Sequence, residues 1–491
     1  MRYIDLGIIL VYLAGITWFG ARFRRSQHSL RDYFLGGRTA PWWAISFSIV
    51  SAETSTLTVI GTPALAFAGN FGFLQVVFGY LLARVVISTL FLPHYFRGEM
   101  FTAYELIGRR FGERMRRFTA GTFLILRALA EGVRAFALSI VIGVVLDPVY
   151  RRFGVAGWAE AGSILLIVAL TLFYTFEGGM SAVIWTDVVQ MVLYVGGAVL
   201  SFVVILGQIP GGWAHVAAMA GGAGKLQVFD FRFGFTAAFF ARNYSFWAGI
   251  LGGCFLTTAS HGTEQLMVQR YLAAPSERDA RKALFSSWLV IFFQFALFLL
   301  IGAMLWVHYA DVRLAAPKPA DTIYPAFVWN NLPPGVAGLV TAAILAAGMS
   351  NLSAALNALA STSIVDFYRP LAGRALSEAQ LLKLARRATV LWGCVLFAIG
   401  LLARHWGSVL EAGLSIASVL YGSLLGVFFL GLLTRRVGQN AAMAAMAFGL
   451  LFMLYISTQT SIAFTWWVPI GTVATFAVGL GASFVLREKA A

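Results

Sequence analysis

Long apolar runs make up most of this chain, and thirteen of them approach the length that crosses a membrane. Apolar residues account for 59% of the sequence and charged residues for 12%, whereas roughly a quarter of the residues in soluble domains are charged. A spanning helix needs about 20 predominantly apolar residues. The sequence therefore predicts an all-α integral membrane protein with about 13 transmembrane helices. We place them at 3–20, 41–68, 72–92, 118–147, 159–176, 180–208, 236–262, 284–309, 335–365, 388–403, 410–433, 440–457 and 465–485.

Polar residues interrupt two of these runs. The segment SAETST (Ser51–Thr56) lies in the middle of one run, and TTASHG (Thr257–Gly262) ends the run that starts at Ala237. In hydrocarbon, a polar break is tolerated only where it faces protein or a water-lined cavity. Broken helices in corresponding positions of two halves are typical of secondary transporters, which bind solute and coupling ion there.

Basic residues are distributed unevenly between the two sides of the membrane. Loops after odd-numbered runs, with the C-terminus, carry 24 Lys and Arg, whereas the opposite loops carry seven. This asymmetry predicts that the N-terminus is outside and the C-terminus is cytoplasmic. The net charge of +15 is therefore explained mostly by membrane topology. For this reason we expect no nucleic-acid partner.

The sequence contains no pattern typical of an enzyme. There is no phosphate-binding loop or nucleotide fingerprint, and Cys254 and Cys394 lie inside apolar runs without zinc-site spacing. The longest stretches between runs, 209–235 and 310–334, are too short for a soluble domain. We expect a protein without catalytic activity, without an organic cofactor and without an obligate protein partner.

Four separated motifs resemble the sodium/solute symporter family, which includes bacterial sugar, proline and sialic acid carriers and animal glucose, iodide and monocarboxylate carriers. The resemblance implies a five-plus-five inverted repeat with a discontinuous first helix in each repeat, in a bacterial inner membrane. The repeats would be 41–208 and 236–433, with 1–40 before them, an extracellular loop at 209–235 and two further helices in 434–491. The motifs are TAYELIGRRFG (Thr102–Gly112), YTFEGGMSAVIWTD (Tyr174–Asp187), EQLMVQRYLAA (Glu264–Ala274) and AILAAGMSNLSAALNALASTSIVDFY (Ala343–Tyr368).

A sodium site is implied by this resemblance. Its ligands would be the carbonyls of Ser51, Thr54 and Ala347 and the side chains of Ser350 and Asn351. Asn351 departs from the family, which usually has Ser or Thr there, although an amide oxygen can also coordinate a cation. The alternative is that these small polar residues only join helices.

Asp187 is a carboxylate within a predicted span, where charge is costly and usually functional. It matches a family position associated with sodium exit and, in some members, with a second sodium site. That second site would also use Ser350 and Ser353, but Asn351 and Ala354 replace its other hydroxyls, so a stoichiometry of one or two sodium ions stays open. The alternative is a helix N-terminal carboxylate near the cytoplasmic interface.

Glu53 lies inside the first polar break, between two of the implied carbonyl ligands. Its carboxylate could strengthen cation binding, carry a proton, or hold a positive group of the solute. Its position favours the first role. The alternative is a neutral carboxyl group bonded to freed backbone, since burial raises carboxyl pKa values.

The segment RALAEGVR places Arg127, Glu131 and Arg134 on one helical face with a net positive charge. By resemblance, the sialic acid carriers bind their substrate's carboxylate with an arginine of this helix. Guanidinium matches carboxylate bidentately, so an organic acid or amino acid is the favoured solute. The alternative is an internal ion-pair ladder.

Further residues are expected to face the solute. Leu57 and Thr58 occupy positions where the sugar carriers have hydroxyl-binding Glu and Gln, which argues against a hexose. His261 could act as a proton switch or simply pack. The remaining candidates, on the third span and the second broken helix, are Phe73, Gln75, Thr257 and Ser260.

These observations predict a sodium-coupled symporter that imports a small polar solute by alternating access. One alternative is proton coupling through Glu53. Another is a membrane sensor that has kept the carrier fold without transport, which the absence of a signalling domain after the last span disfavours.

Overall fold

The computed structural model of the protein describes residues 2–23, 29–98, 100–154, 158–313, 317–318, 320–372, 377–403 and 409–486. This part of the chain is helical and contains no β-strand. The α-helices are α1 (Tyr3–Ala21), α2 (Leu30–Leu35), α3 (Trp42–Glu53), α4 (Thr56–Ala68), α5 (Leu74–Val86), α6 (Leu92–Tyr95), α7 (Tyr104–Phe111), α8 (Glu113–Arg152), α9 (Ala159–Gln208), α10 (Gly212–Gly222), α11 (Ala237–Phe240), α12 (Gly253–Gly262), α13 (Gln265–Leu272), α14 (Glu277–Asp311), α15 (Ile323–Asn331), α16 (Val336–Thr362), α17 (Arg369–Leu371), α18 (Glu378–Ala403), α19 (Val409–Leu433), α20 (Gln439–Gln459) and α21 (Phe464–Val485).

Among the described residues, nine helices are long and apolar enough to cross a membrane, and the bent pair α3 and α4 adds a tenth. The prediction of an all-α membrane protein is confirmed, whereas the count of thirteen is not established. The three other predicted runs coincide with α8, with the first part of α9 and with the helix that ends at Gly262. The predicted runs at 159–176 and 180–208 correspond to the two helical parts of α9, which are separated at Gly179 by a non-helical backbone whose φ of 54° glycine tolerates.

The first predicted break is present. Helices α3 and α4 meet at 62°, and Thr54 between them has an extended backbone. Ser55 precedes α4, where its N–H donates to the hydroxyl of Thr58 at 3.3 Å. Serine before a helix with a hydroxyl three residues later supplies such caps, so SAETST both ends one helix and starts the next.

The second break lies two residues later than the sequence indicates. Helix α12 continues through Thr257–Gly262, and the chain becomes extended at Glu264 before α13. The predicted start at Ala237 is also wrong, because α11 is a separate short helix. The carbonyl of Phe240, in α11, accepts a hydrogen bond from the N–H of Ala463 at 2.8 Å, which ties α11 to the segment before α21.

Helix α16 is the most enclosed of the long helices. Its spanning window is 94% buried, compared with 28% for α1, α18 and α21. Small residues allow this close packing: a Cβ at Gly348 would collide with Leu138 of α8 and Thr56 of α4. Helix α16 therefore passes directly beside the first break.

Candidate functional site

A cavity lies between the two broken helices and helices α5, α8, α14 and α19. Its wall combines apolar side chains such as Phe295 with charged and hydroxyl groups such as Glu264 and Tyr421. Eight of the ten predicted solute-facing residues line it: Leu57, Thr58, Phe73, Arg127, Arg134, Thr257, Ser260 and His261.

Gln75 does not line this cavity. Its Nε2 donates to the carbonyls of Gly72 at 3.1 Å and Tyr244 at 2.9 Å, and its Oε1 accepts from the N–H of Asp230 at 3.0 Å. The side chain is fully buried. Gln75 thus attaches α5 to the segment after α10, and we withdraw it as a solute-facing residue.

Arg127 is the centre of an ion-pair network on the cavity wall. Its guanidinium lies 2.5 Å from Glu131 and 3.1 Å from Glu264, and Glu131 also pairs with Arg134. The hydroxyl of Tyr421 donates to Glu264 at 2.6 Å. Glu264, which precedes α13, supplies a second anion opposite the net positive face of α8, so the network as a whole is balanced in charge.

The two arginines of this network differ in exposure. The side chain of Arg127 is 5% exposed and that of Arg134 is 22% exposed. Within the described structure, the Nε atoms of both arginines are buried without a hydrogen-bond partner, as is Oε2 of Glu131. Buried polar atoms without a partner are uncommon in folded proteins, so the hydrogen bonding of this network is incomplete.

Glu53 faces the same cavity from the end of α3. Its Oε2 accepts from Arg84 at 2.9 Å and contacts Nε2 of His261 at 3.0 Å. The other ring nitrogen of His261 lies 2.8 Å from the hydroxyl of Ser260. Glu53 therefore connects the first broken helix to the second, and in this structure it bonds to side chains, whereas our packing alternative placed it on freed backbone.

Asp187 lies in a second, sealed cluster and is fully buried. Its Oδ1 accepts from Ser350 at 2.6 Å, and its Oδ2 accepts from Ser48 at 2.5 Å and from Arg270 at 2.9 Å. The hydroxyls of Ser51 and Ser350 are 2.6 Å apart. Asp187 is thus bonded to side chains of α3, α13 and α16.

The other implied sodium ligands have varied surroundings. The side-chain oxygen of Asn351 accepts from Arg127 at 2.8 Å, and its nitrogen donates to the carbonyl of Ala52 at 2.6 Å. The hydroxyl of Thr54 accepts from Gln294 at 2.6 Å. Ser353 donates to the carbonyl of Ser350 within α16 at 2.9 Å, and Ala347 is buried one turn before Asn351.

Sequence reasoning assigned no role in the site to four charged or hydroxyl groups of these clusters, and it interpreted the first as a snorkelling or packing arginine: Arg84, Glu264, Arg270 and Tyr421. Glu264 and Arg270 lie in the motif EQLMVQRYLAA, where two charges in a mostly apolar, buried segment were an available signal. Tyr421 has no such local signal, because its partner Glu264 is 157 residues away in the chain.

The chain is similar to known sodium-coupled transporters over most of its length. The chain is 28% identical to the sodium/sialic acid symporter of Aliivibrio fischeri, over 98% of this chain and 92% of that protein. It is 27% identical to the sodium/sialic acid symporter of Proteus mirabilis, over 97% and 94% of the two chains. It is also 27% identical to the human sodium/iodide cotransporter, over 92% of this chain and 69% of that protein.

Solved structures of sodium-coupled transporters are also similar to this chain. The substrate-bound, outward-open structure of a Na⁺-coupled sialic acid symporter has a TM-score of 0.88 and 25% identity, over 99% of this chain and 98% of that one. A nucleobase-cation-symport-1 family transporter, at a TM-score of 0.60 and 13% identity, shares the fold alone. The model of the sodium:solute symporter family matches residues 33–449, and the chain therefore belongs to the sodium:solute symporter family.

Proposed function

We propose that this protein imports a small carboxylate-bearing solute together with sodium, by alternating access. Relatives described as sodium/sialic acid symporters support this class of solute and ion. One observation carries the proposal: Arg127 lines the solute cavity and at the same time donates to Asn351, an implied sodium ligand. A single guanidinium thus contacts both sites.

The cavity suits a solute with a carboxylate at one end. Guanidinium groups bind carboxylates by charge-assisted, often bidentate hydrogen bonds. Arg134 lines the cavity and is the more exposed of the two arginines, so we assign it the first contact with the solute. Ser55, Thr58 and Thr62 also line the cavity, and their hydroxyls would bind polar groups elsewhere on the solute.

Sodium would bind beside α16 at the first break. The last carbonyls of a helix have no acceptor role within it, so the end of α3 offers backbone oxygens at this point. Ser51 and Ser350 add hydroxyl oxygens, and Asp187 adds a carboxylate within 2.6 Å of Ser350. A hard cation such as sodium prefers such an all-oxygen environment.

Arg127 would couple the two sites by competition for Asn351. While Arg127 occupies the amide oxygen of Asn351, that oxygen is not available to sodium. A solute carboxylate that draws Arg127 into the cavity would release the oxygen, and sodium bound to Asn351 would release Arg127 for the solute. Coupling of this kind is reciprocal by thermodynamic necessity.

The test is uptake into proteoliposomes with sodium or potassium, using sialic acid, monocarboxylates and amino acids as solutes. We expect uptake only with sodium, and a sodium-dependent rise in solute affinity of about 10-fold, within the usual range of coupling energies. Ser350→Ala should weaken the apparent sodium affinity. Uptake that does not depend on sodium but is driven by a proton gradient would overturn the proposal.

The role of Arg127 is tested separately with Asn351→Ser, which restores the family's usual hydroxyl. This variant should bind sodium with an affinity that depends less on solute, because Arg127 has lost its amide partner. Asn357→Ser is the matched control, since Asn357 is a buried asparagine of α16 that contacts Gln269 instead. If the sodium affinity of both variants depends on solute as it does in the original protein, Arg127 does not couple the two sites. This conclusion would hold even if sodium-driven uptake is intact.

Proton coupling remains a second candidate because of one contact. Glu53 and His261 are 3.0 Å apart on the cavity wall and belong to the two broken helices. A proton held by this pair would change the attraction between the helices. Uptake measured at fixed sodium with and without a pH gradient distinguishes the two candidates.

A further inference from the structure

A second cavity lies where two membrane-crossing helices end on the same side. One of them spans Leu74–Tyr95 and contributes His94, and the other spans Ile416–Leu433 and contributes its last residues. Helix α7 closes the cavity from the side. Because both spanning helices end here, the cavity opens at the level of the membrane–water interface.

The lining of this cavity is basic. Arg109, Arg110 and Arg435 line it together with His94, and no acidic residue is among its described lining residues. Arg110 donates to the carbonyls of Thr434 at 3.0 Å and Val437 at 3.2 Å, and Arg109 donates to the carbonyl of Arg97 at 2.8 Å. Backbone contacts thus hold two guanidinium groups in place before any ligand arrives.

The guanidinium groups of Arg110 and Arg435 repel each other. Burial, and after it the positive charge of Arg435, lowers the pKa of Arg110 below its ordinary value. A bound anion would remove this repulsion. Guanidinium groups are well matched to phosphate, which accepts paired hydrogen bonds.

The remaining lining of the cavity is apolar. Leu106 and Ile107 come from α7, and Phe428, Leu432 and Leu433 come from α19. Leu433 is 55% exposed, at the point where its helix leaves the membrane. A free phosphate ion would make no use of this surface, whereas the acyl chains of a lipid would cover it.

We propose that this cavity binds an anionic phospholipid, with the phosphate on Arg109, Arg110 and Arg435 and the acyl chains against Leu432 and Leu433. Basic pockets between membrane helices bind anionic headgroups in this way. The occupant would hold α7 against the end of α19. The proposal is independent of the transported solute, since the cavity shares no lining residue with the solute cavity.

The test is thermal unfolding of the full chain in detergent, titrated with phosphatidylglycerol, phosphatidylcholine, short-chain dihexanoyl phosphatidylglycerol and inorganic phosphate. We expect phosphatidylglycerol to raise the melting temperature and phosphatidylcholine to leave it unchanged. The short-chain lipid should act more weakly than the long-chain lipid. If inorganic phosphate stabilises the protein as strongly as phosphatidylglycerol, the lipid assignment is wrong.

Arg435→Gln and Arg436→Gln are a matched pair for this test. Both residues are exposed and adjacent, but only Arg435 lines the cavity. Arg435→Gln should raise the half-saturating concentration of phosphatidylglycerol roughly five-fold, which corresponds to about 1 kcal/mol per basic residue near anionic lipid. Arg436→Gln should leave it unchanged, and an equal response of the two variants would overturn the proposal.

Discussion

Two of the arginine–carboxylate clusters inside the described part of this protein differ in their access to solvent. In the sealed cluster, Asp187 is fully buried and Arg270 is 1% exposed. In the cavity cluster, Arg127, Glu131 and Glu264 are nearly buried, but Arg134 is 22% exposed. Arginine–carboxylate pairing is thus shielded from water in the sealed cluster, whereas in the cavity cluster it is accessible to a ligand.

The hydrogen bonding of the sealed cluster is also more complete than that of the cavity cluster. Both oxygens of Asp187 accept hydrogen bonds, whereas Oε2 of Glu131 and the Nε atoms of Arg127 and Arg134 have no partner in the described structure. A satisfied buried network holds helices in one arrangement, and an incomplete one has capacity for another partner. We therefore assign a structural and sodium-related role to the sealed cluster and solute recognition to the cavity cluster.

The largest effect is expected from Asp187→Asn. Removing one partner of a buried pair leaves the other charge uncompensated, which costs roughly 3–5 kcal/mol. We predict a strongly reduced melting temperature and loss of the sodium response, with part of the stability recovered in Asp187→Asn combined with Arg270→Gln. Ser287→Ala is the control, because Ser287 is a buried residue of α14 whose hydroxyl donates to the carbonyl of Leu284 in the same helix. Equal melting temperatures for Asp187→Asn and Ser287→Ala would contradict the structural role.

Arg134→Gln should affect solute binding and leave the fold intact. A charge-assisted hydrogen bond contributes about 1.5–3 kcal/mol, so the apparent solute affinity should fall by roughly 10- to 150-fold. The apparent solute affinity of Arg134→Lys should fall less than that of Arg134→Gln, because an ammonium group keeps the positive charge but cannot form the bidentate hydrogen bonds of a guanidinium. Uptake kinetics provide the measurement, and Arg232→Gln, outside the cavity, provides the control. Unchanged affinity in both Arg134 variants would mean that the ion-pair ladder is purely structural.

The fold was largely predictable, because hydrophobic length and polar interruption are local properties of sequence. The first break was found at its observed place, since SAETST contains both the end of one helix and the cap of the next. The second break was displaced to Glu264, because small polar residues such as Thr257 and Ser260 can also remain helical when their side chains find partners within the helix or nearby.

The site was only partly predictable, because pairings between distant residues are not encoded locally. Arg127 was recognised as a functional candidate, but its contact with Asn351 joins residues 224 positions apart. Glu53 was placed correctly in the break, yet its contacts with Arg84 and His261 depend on how α5 and α12 pack. Gln75 was misassigned because its partner Tyr244 is likewise distant in sequence.

Glu53→Gln should have a moderate effect whose kind identifies the role of this carboxylate. The sequence favoured a sodium-site role, in which the sodium concentration for half-maximal uptake rises while solute affinity at saturating sodium is kept. The contact with His261 favours instead a changed pH dependence of uptake, because the carboxylate that faces the imidazole is removed. Sodium and pH titrations of uptake, with Glu105→Gln as a control outside the cavity, distinguish these outcomes. Unchanged profiles would leave a packing role alone.

The smallest effect is expected from an exposed ion pair outside both clusters. Asp230 pairs with Arg232 at 2.6 Å, but the side chain of Arg232 is 71% exposed. The hydrogen bond from Arg232 lowers the pKa of Asp230. A carboxyl group whose folded pKa is depressed contributes stability above its unfolded pKa and loses it as the pH falls through the folded value. Water and salt screen exposed pairs, which therefore contribute little. Asp230→Asn should leave the melting temperature at pH 7 unchanged, in contrast with Asp187→Asn. A loss as large as that of Asp187→Asn would show that burial is not what separates these ion pairs.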